Sequence, residues 1–297
     1  MSTPSAAEAV FSVLPTTSPH RYDLVDQNGV VTTASVDTLR LGCIAQPGFY
    51  EWAEDACGWS QTTSSRRSYK SSWHIPGVGH VSDYRYAYGR SFLNLEVRPN
   101  EDDPWDLLRT FLSPVAIRRA DIALDYGSDL SGYLFDAKQL KRTVYSSSTG
   151  RVETTYLGSE NSAKRFRIYD KAAELSRRHG VKVHGPLWRI EAQLRREYAS
   201  ALPDDLFDGL VVRSWPPVGV PNLRTAAYLE YAYRHPGIQR AFTKKTREPV
   251  EAMLGQYTLP LDPAPADVYR ACLPALRAGI ASVLAPSDHC VGTVVSR

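Results

Sequence analysis

TTYLGSENSAKRFRIYDK, residues 154–171, is the stretch that decides the fold. Successive side chains of a β-strand point to opposite faces, so Arg165, Arg167 and Tyr169 share one face and the apolar side chains between them share the other. The pattern predicts a strand with one cationic face, joined in a hairpin to a strand over residues 152–158. A tyrosine beside positive charge suggests phosphate chemistry.

The same half-polar alternation recurs in residues 84–98, 116–126 and 187–195. Antiparallel sheets that pack one face on helices and leave the other face open produce this pattern. The sequence therefore predicts an α+β fold, a largely antiparallel β-sheet with one polar active-site face, backed by helices and followed by a helical C-terminal region.

The remaining patterns divide the chain into three parts: a flexible N-terminal arm over residues 1–20, an α+β core over 21–202 and a mainly helical region over 203–297. The Asn28–Gly29 pair favours a tight hairpin within residues 21–40. Further segments with helical patterns are residues 48–59, 103–111, 130–145 (a helix or helix and loop), 170–179, 222–234, 244–256 and 264–285.

Charge is unevenly distributed along a chain of 297 residues whose net charge is only +3. Residues 163–196 contain ten Lys or Arg residues and three acids, which is typical of nucleic-acid binding and also of an ordinary solvated surface. The four cysteines lack zinc-site spacing. No signal peptide and no membrane span are indicated, so we expect a cytoplasmic protein.

Three carboxylates, Asp121, Asp125 and Glu191, fall on the polar faces of their strands. Carboxylates from separate strands suit Mg²⁺ or Mn²⁺. Asp121 and Asp125 lie about 13 Å apart on one flat strand, so they do not share one ion, and either is the ligand. Two alternatives stay open: Asp125 caps the turn that follows it, or the acids form cross-strand ion pairs without a catalytic role.

Four stretches, in this order, resemble the Rep_trans-type replication initiation factors of rolling-circle plasmids: FLNLEVRPN, RRADIALDYGSDLSGY, TTYLGSENSAKRFRIYDKAAE and LWRIEAQLRRE. The resemblance runs from about residue 91 to residue 198. It implies an origin-specific, metal-dependent DNA nickase and strand transferase whose tyrosine becomes linked to a 5′-phosphate. That tyrosine is Tyr169 here, with Arg167 and Lys171 beside it as catalytic residues.

The resemblance also implies ligands and partners. Asp121, Asp125 and Glu191 fall on the acidic positions of the family, and a Mg²⁺ or Mn²⁺ ion is the implied cofactor. Double-strand origin DNA and single-stranded DNA, a host helicase and a homodimer are the implied partners, with possible DNA recognition by residues 203–297. Arg165, Arg189 and Arg195 are expected to hold the DNA backbone. The alternative is a non-cleaving DNA-binding relative that regulates replication or integration of a plasmid or phage element.

Overall fold

In a computed structural model of the chain, strands dominate the described residues up to 215 and helices dominate the described residues after them. It describes residues 12–16, 20–26, 31–56, 71–75, 79–85, 91–99, 110–137, 140–215, 219–234 and 244–284. The strands are β1 (Ser12–Pro15), β2 (Arg21–Val25), β3 (Val31–Ala45), β4 (Ser71–Ile75), β5 (Gly79–Arg85), β6 (Ser91–Val97), β7 (Leu112–Tyr126), β8 (Tyr133–Ala137), β9 (Arg142–Ser146), β10 (Val152–Leu157), β11 (Lys164–Asp170), β12 (Trp188–Arg195) and β13 (Leu210–Ser214). The helices are α1 (Phe49–Ala56), α2 (Lys171–His179), α3 (Glu197–Ala201), α4 (Leu223–Arg234), α5 (Lys244–Tyr257) and α6 (Pro265–Leu284).

One large sheet has the strand order β4-β5-β6-β3-β7-β12-β11-β10-β9, and every neighbouring pair is antiparallel. β1 and β2 extend it beside β3, and β8 pairs with β13 in a separate small sheet. The predicted α+β class, with a largely antiparallel sheet and helices that include a C-terminal set, is confirmed.

The core lies on one face of this sheet, where apolar side chains of neighbouring strands stand in rows. Leu124, Ile190 and Ile168 form one such row and are fully buried. α6 packs on β3 and β7, with Tyr269 in the same core, and the Tyr126 hydroxyl donates to the Pro263 carbonyl at 3.2 Å. Because the helices cover this face, the opposite face of the central strands carries the polar residues.

Gly158 makes the turn from β10 into β11 possible. Its φ of +104° lies in a region that side chains with a Cβ rarely adopt, and a Cβ there would stand 3.1 Å from the Lys164 carbonyl oxygen. The hairpin predicted for residues 152–169 is confirmed, with Thr154 opposite Tyr169 and Tyr156 opposite Arg167.

Most predicted elements are confirmed, including the strand over 187–195 and the helices over 170–179, 222–234, 244–256 and 264–285. The helix predicted for residues 130–145 is wrong, since β8 and β9 occupy that segment. Part of the predicted N-terminal arm forms β1, and β13 interrupts the predicted helical region. The helix predicted over residues 103–111 lies almost wholly outside the described residues. Among the helices that are described, none combines the length and apolar character that crossing a bilayer requires.

The central strand β7 should be the most sensitive part of the sheet. Ile122 is fully buried on its core face, so Ile122→Ala should lower the free energy of unfolding by about 2–5 kcal/mol. Val115 lies on the same strand with 49% of its surface exposed, and Val115→Ala should cost less than about 0.5 kcal/mol. Urea unfolding measures both changes, and equal losses would contradict the assignment of β7 to the centre of the core.

Candidate functional site

The polar face is organised in rows of residues that lie opposite one another across the strands. We call the first the Tyr169 row and the second the Glu191 row. The Tyr169 row contains Thr154, Tyr169, Arg189, Asp125 and Thr33. The Glu191 row contains Tyr156, Arg167, Glu191, Ala123 and Ser35. The strand pairing thus brings Tyr169 and the predicted acids Asp125 and Glu191 onto one surface.

The position of Tyr169 is fixed by the change from strand to helix that follows it. Asp170 caps α2, because its carboxylate accepts from the Ala173 backbone N–H at 2.8 Å. The backbone N–H of Lys171 donates to the Leu187 carbonyl at 2.8 Å, which ties the start of α2 to the residue before β12. Tyr169 therefore sits where two elements are anchored.

Arg189 is buried between two carboxylates and joins three strands. Its Nε and Nη2 donate to the two Asp125 oxygens at 2.6 and 2.7 Å, and its Nη1 donates to Asp37. Burial opposes the charge of Arg189, yet the two carboxylates raise its pKa well above the ordinary value. The DNA contact predicted for Arg189 stays a prediction, and the two carboxylates that hold its buried guanidinium weigh against it.

Asp37 is a site residue that the sequence patterns missed. The β3–β7 register shifts between Val36 and Thr38, and this irregularity adds Asp37 to the strand beside the Tyr169 row. Burial would raise the pKa of Asp37, but Arg189 and Lys171 outweigh it and lower that pKa. The only sequence signal was an acid within the polar run TTASVDT.

The three predicted metal ligands differ in their surroundings. Asp125 is held by Arg189, and Asp121 accepts from Arg119 at 2.7 and 2.5 Å. Glu191 accepts from the Gln193 side-chain amide at 2.7 Å and lies 3.8 Å from Arg167. The alternative of cross-strand ion pairs is therefore observed for Asp125 with Arg189 and, at a longer distance, for Glu191 with Arg167. Asp121 instead pairs with Arg119 of its own strand β7.

The folded protein disfavours the ionised forms of the Glu191 and Asp121 carboxyl groups. Burial, reinforced by Glu191, raises the pKa of Asp121 to about 7 despite the pair with Arg119. Burial, reinforced by Asp37, raises the pKa of Glu191 against the effect of Arg167. Their negative charges are thus incompletely compensated by the protein.

The carboxylate oxygens of Asp121 and Glu191 are of the chemical type that a hard divalent cation binds. Glu191 raises the pKa of the buried Asp121, and two such carboxylates would gain from a shared cation. Within the described residues, however, no three His, Cys, Asp or Glu side chains are gathered as an ion would require. Asp121 would have to turn away from Arg119 to meet Glu191 on one ion.

The Tyr169 ring is 3% exposed and lies under the Arg167 guanidinium, 3.9 Å from the ring centroid. Burial raises the pKa of Tyr169, Glu191 and Asp37 add to that effect, and Arg189 and Arg167 oppose it without reversing it. The arginines thus favour the phenolate, but burial outweighs them, and Tyr169 is a neutral phenol in this state.

Lys171 belongs to a second ion cluster beside the tyrosine. Its Nζ donates to Glu174 at 2.8 Å and lies 6.0 Å from the Tyr169 ring centroid. Glu174 also lies 3.6 Å from Arg167 and 3.4 Å from Arg178. Burial acts to raise the pKa of Glu174, but these cations lower it. Glu174 was missed as a site residue, although its position three residues after Lys171 was a visible signal.

The far end of the polar face is rich in arginine. Arg195 donates to the Glu160 and Ser162 carbonyls, and Arg165 lies 3.9 Å from the ring centroid of Tyr156. Burial, then the like charges of Arg119 and other arginines, lowers the pKa of Arg195. Arg195 also lines a cavity of about 570 Å³ together with Ile117, Arg118, Asn161, Arg196, Glu197 and Ser200.

The fold and this face define a protein whose antiparallel sheet carries a tyrosine, arginines and acids on its polar side. A family model described as replication initiation factor, Rep_trans, matches residues 134–215. That segment includes Tyr169, Arg167, Lys171 and Glu191, whereas Asp121 and Asp125 precede it. The predicted resemblance to Rep_trans-type replication initiators is confirmed over this segment.

Known proteins show the same likeness. Two replication initiation proteins of Staphylococcus aureus are each 30% identical, one over 132 residues (42% of each chain) and the other over 119 residues (37% of this chain, 38% of the relative). The chain thus matches about two fifths of the length of these relatives. A rolling circle replication initiator structure from Geobacillus stearothermophilus aligns with 64% of this chain and 89% of that one, at a TM-score of 0.38 and 14% identity.

Replacing Glu191 by its neutral amide should change how stability depends on pH. Because the pKa of Glu191 is raised above 4.5, the folded protein holds this proton more tightly than the unfolded chain does. Ionisation above pH 4.5 therefore costs stability. Glu191→Gln avoids that cost, so the free energy of unfolding of the variant relative to wild type should rise from about pH 5 to about pH 8.

Urea unfolding at both pH values measures this difference. The matched control is Glu153→Gln, which changes a half-buried carboxylate on β10 that lies 3.5 Å from Arg177, and its difference from wild type should not follow the same trend. A Glu191→Gln difference that stays constant or falls with pH would contradict the raised pKa.

Proposed function

We propose that this protein initiates rolling-circle replication by nicking one strand at a double-strand origin, with Tyr169 as the nucleophile. The observation that carries the proposal is the position of Tyr169: it belongs to the segment matched by the family model and lies in one row with Arg189 and Asp125, next to Glu191. A tyrosine so surrounded by cations and acids has the groups that phosphoryl transfer needs.

The reaction is a transesterification. The Tyr169 Oη attacks phosphorus, the P–O3′ bond breaks, and the 5′-phosphate stays on the tyrosine while the 3′-hydroxyl is released as a primer. A covalent intermediate conserves the phosphodiester bond energy, so a second transesterification closes the displaced strand. The phenol loses a proton and the 3′-oxygen gains one, and we assign this transfer to Glu191, the carboxylate of raised pKa in the row next to Tyr169.

In this proposal Arg167 covers the Tyr169 ring before DNA arrives and binds the phosphate when DNA is present. It covers the Tyr169 ring and lies near Glu174 and Glu191. A phosphate attracts a guanidinium strongly, so an arriving DNA strand would draw Arg167 off the ring and uncover the phenol. Lys171, 2.8 Å from Glu174, supplies a second positive charge beside the ring.

Asp121 and Glu191, with Asp37 at the edge, are the residues that would hold Mg²⁺ or Mn²⁺. Such an ion would polarise a phosphoryl oxygen and offset negative charge in the transition state. Asp125 is the weakest of the predicted ligands, since both its oxygens accept from the buried Arg189. Its role in the proposal is to hold Arg189 opposite Tyr169.

The partners of a replication initiator follow from the same proposal. Double-strand origin DNA and the single strand released by nicking are the substrates, with Arg195 and Arg165 at the arginine-rich end of the face as backbone contacts. A host helicase and a homodimer, both implied by the resemblance, stay predictions.

One observation favours a second candidate, a DNA-binding relative that does not cleave. Tyr169 is only 3% exposed and its pKa is raised, and both features make it a poor nucleophile in this state. Incubation with Mn²⁺ and a supercoiled plasmid that carries the DNA flanking the protein's own gene, followed by a denaturing gel, separates the two. Only the nickase gives a protein–DNA adduct.

Tyr169→Phe should abolish the covalent adduct and leave DNA binding intact. The substitution removes the attacking oxygen and keeps the ring under Arg167. Among the described residues the hydroxyl has no hydrogen-bond partner, so its loss should change stability by less than about 1 kcal/mol. Denaturing gels and fluorescence anisotropy give the two readouts, and nicking by the variant at the wild-type rate would exclude Tyr169 as the nucleophile.

Metal binding should depend on Glu191 before any chemistry occurs. Isothermal titration calorimetry of the DNA-free protein with Mn²⁺ should detect binding, and Glu191→Gln should weaken that binding by about tenfold or more. Substitution of a metal ligand, or of a residue that holds a ligand in place, has effects of that size. Asp129→Asn, at an exposed carboxylate paired with Arg151, is the control and should bind like wild type. EDTA should stop nicking by the wild type.

Equal Mn²⁺ affinity in wild type and Glu191→Gln would remove Glu191 from the ligand set. Nicking that continues in EDTA would contradict a role for the metal ion. The role of Tyr169 would still be decided by the denaturing gel.

A further inference from the structure

We propose that Tyr145 and Tyr156 form a stacking platform for unpaired bases of the DNA strand that lies beside the nick. The inference rests on the proposed function and adds a ligand to the same face: the flat surface of a nucleobase, in addition to its phosphate. The platform is defined by the two tyrosine rings and the Arg165 guanidinium.

The strand pairing aligns Tyr145 with the nucleophile. β9 is the last strand of the sheet order, and Tyr145 lies opposite Thr154, which lies opposite Tyr169. Tyr145 therefore continues the Tyr169 row two strands outward, at about 10 Å for the usual strand spacing. A strand whose phosphate is at Tyr169 would bring its neighbouring nucleotides over β10 and β9.

The Tyr145 ring is unusually open for an aromatic side chain on this face. The residue is 58% exposed, and its ring meets that of Tyr156 in a T-shaped contact with centroids 5.8 Å apart and planes at 84°. This contact holds the Tyr145 ring in place without covering it. An exposed, pre-positioned ring offers stacking area at a small entropic cost.

Arginines alternate with the tyrosines along β10 and β11. The Arg165 guanidinium lies 3.9 Å from the Tyr156 ring centroid, and Arg167 lies 3.9 Å from that of Tyr169. Within the part of the chain that the structure describes, the buried Nε atoms of Arg165 and Arg167 have no hydrogen-bond partner. Sites for single-stranded DNA combine positive charge that follows the backbone with rings on which bases stack, and this surface has both.

A single exposed tyrosine is common on protein surfaces. Tyr145 differs because its row leads to Tyr169 and its neighbours are cations. The ligand must be single-stranded, since the base faces of a duplex are already stacked on one another. The platform thus takes the strand once it is unpaired at the nick site.

Fluorescence anisotropy with a short labelled oligothymidylate tests the platform. Tyr145→Ala should weaken binding by about tenfold, the size expected for the loss of one stacked base. Tyr145→Phe keeps the ring and should bind like wild type. Val144→Ala changes the adjacent residue of the same strand, 39% exposed and on the opposite face, and should also bind like wild type.

The salt dependence separates stacking from charge. Loss of a stacked base releases no counterions, so the slope of log affinity against log salt should be the same for Tyr145→Ala and wild type. Equal affinity of Tyr145→Ala and wild type, or an equal loss in Tyr145→Phe, would overturn the platform.

The covalent adduct assay keeps this result apart from the proposed function. If wild type forms the adduct and Tyr145→Ala binds oligothymidylate as tightly as wild type, the platform is wrong and the nickase stands. If wild type neither forms an adduct nor binds the oligonucleotide, both proposals fail.

Discussion

The buried guanidinium of Arg189 is the interaction on which the polar face depends. It joins β12 to β7 through Asp125 and to β3 through Asp37, and it lies directly opposite Tyr169. Removal of one partner from a buried ion pair leaves an uncompensated charge that costs about 3–5 kcal/mol. The arrangement around Tyr169 is therefore fixed by the same contacts that hold the centre of the sheet together.

Because Arg189 is held by Asp125 and Asp37, the charged residues of the polar face have different roles. Asp125 and Arg189 compensate each other and have little capacity left for ligands, whereas Glu191 and Asp121 carry raised pKa values because burial is incompletely offset. The arginines at the other end of the face repel one another. Burial is the larger cause of the lowered pKa of Arg195, and the positive charges of neighbouring arginines add to it. An acidic centre beside a cationic end is an arrangement that suits a cation and a polyanion bound together.

The sequence predicted the faces of the strands and could not predict which residues meet. The alternation of side chains along each strand placed Tyr169, Asp125 and Glu191 on the polar face, because this alternation depends only on the local sequence. The partner of Arg189 depends on the register of strands distant in the sequence, and Asp37 enters through an irregularity that no local pattern marks. Residues 130–145 were predicted as a helix or a helix and loop. Pairing of β8 with β13 and of β9 with β10 overrides that local preference and brings Tyr145 onto the polar face.

The proposed bond between Tyr169 and DNA is tested most directly by mass spectrometry of the protein after reaction with an oligonucleotide that cannot be religated. We expect a nucleotide-modified peptide with the mass addition on Tyr169. A modified Tyr156 or Tyr145, or efficient nicking without any modified tyrosine, would contradict it.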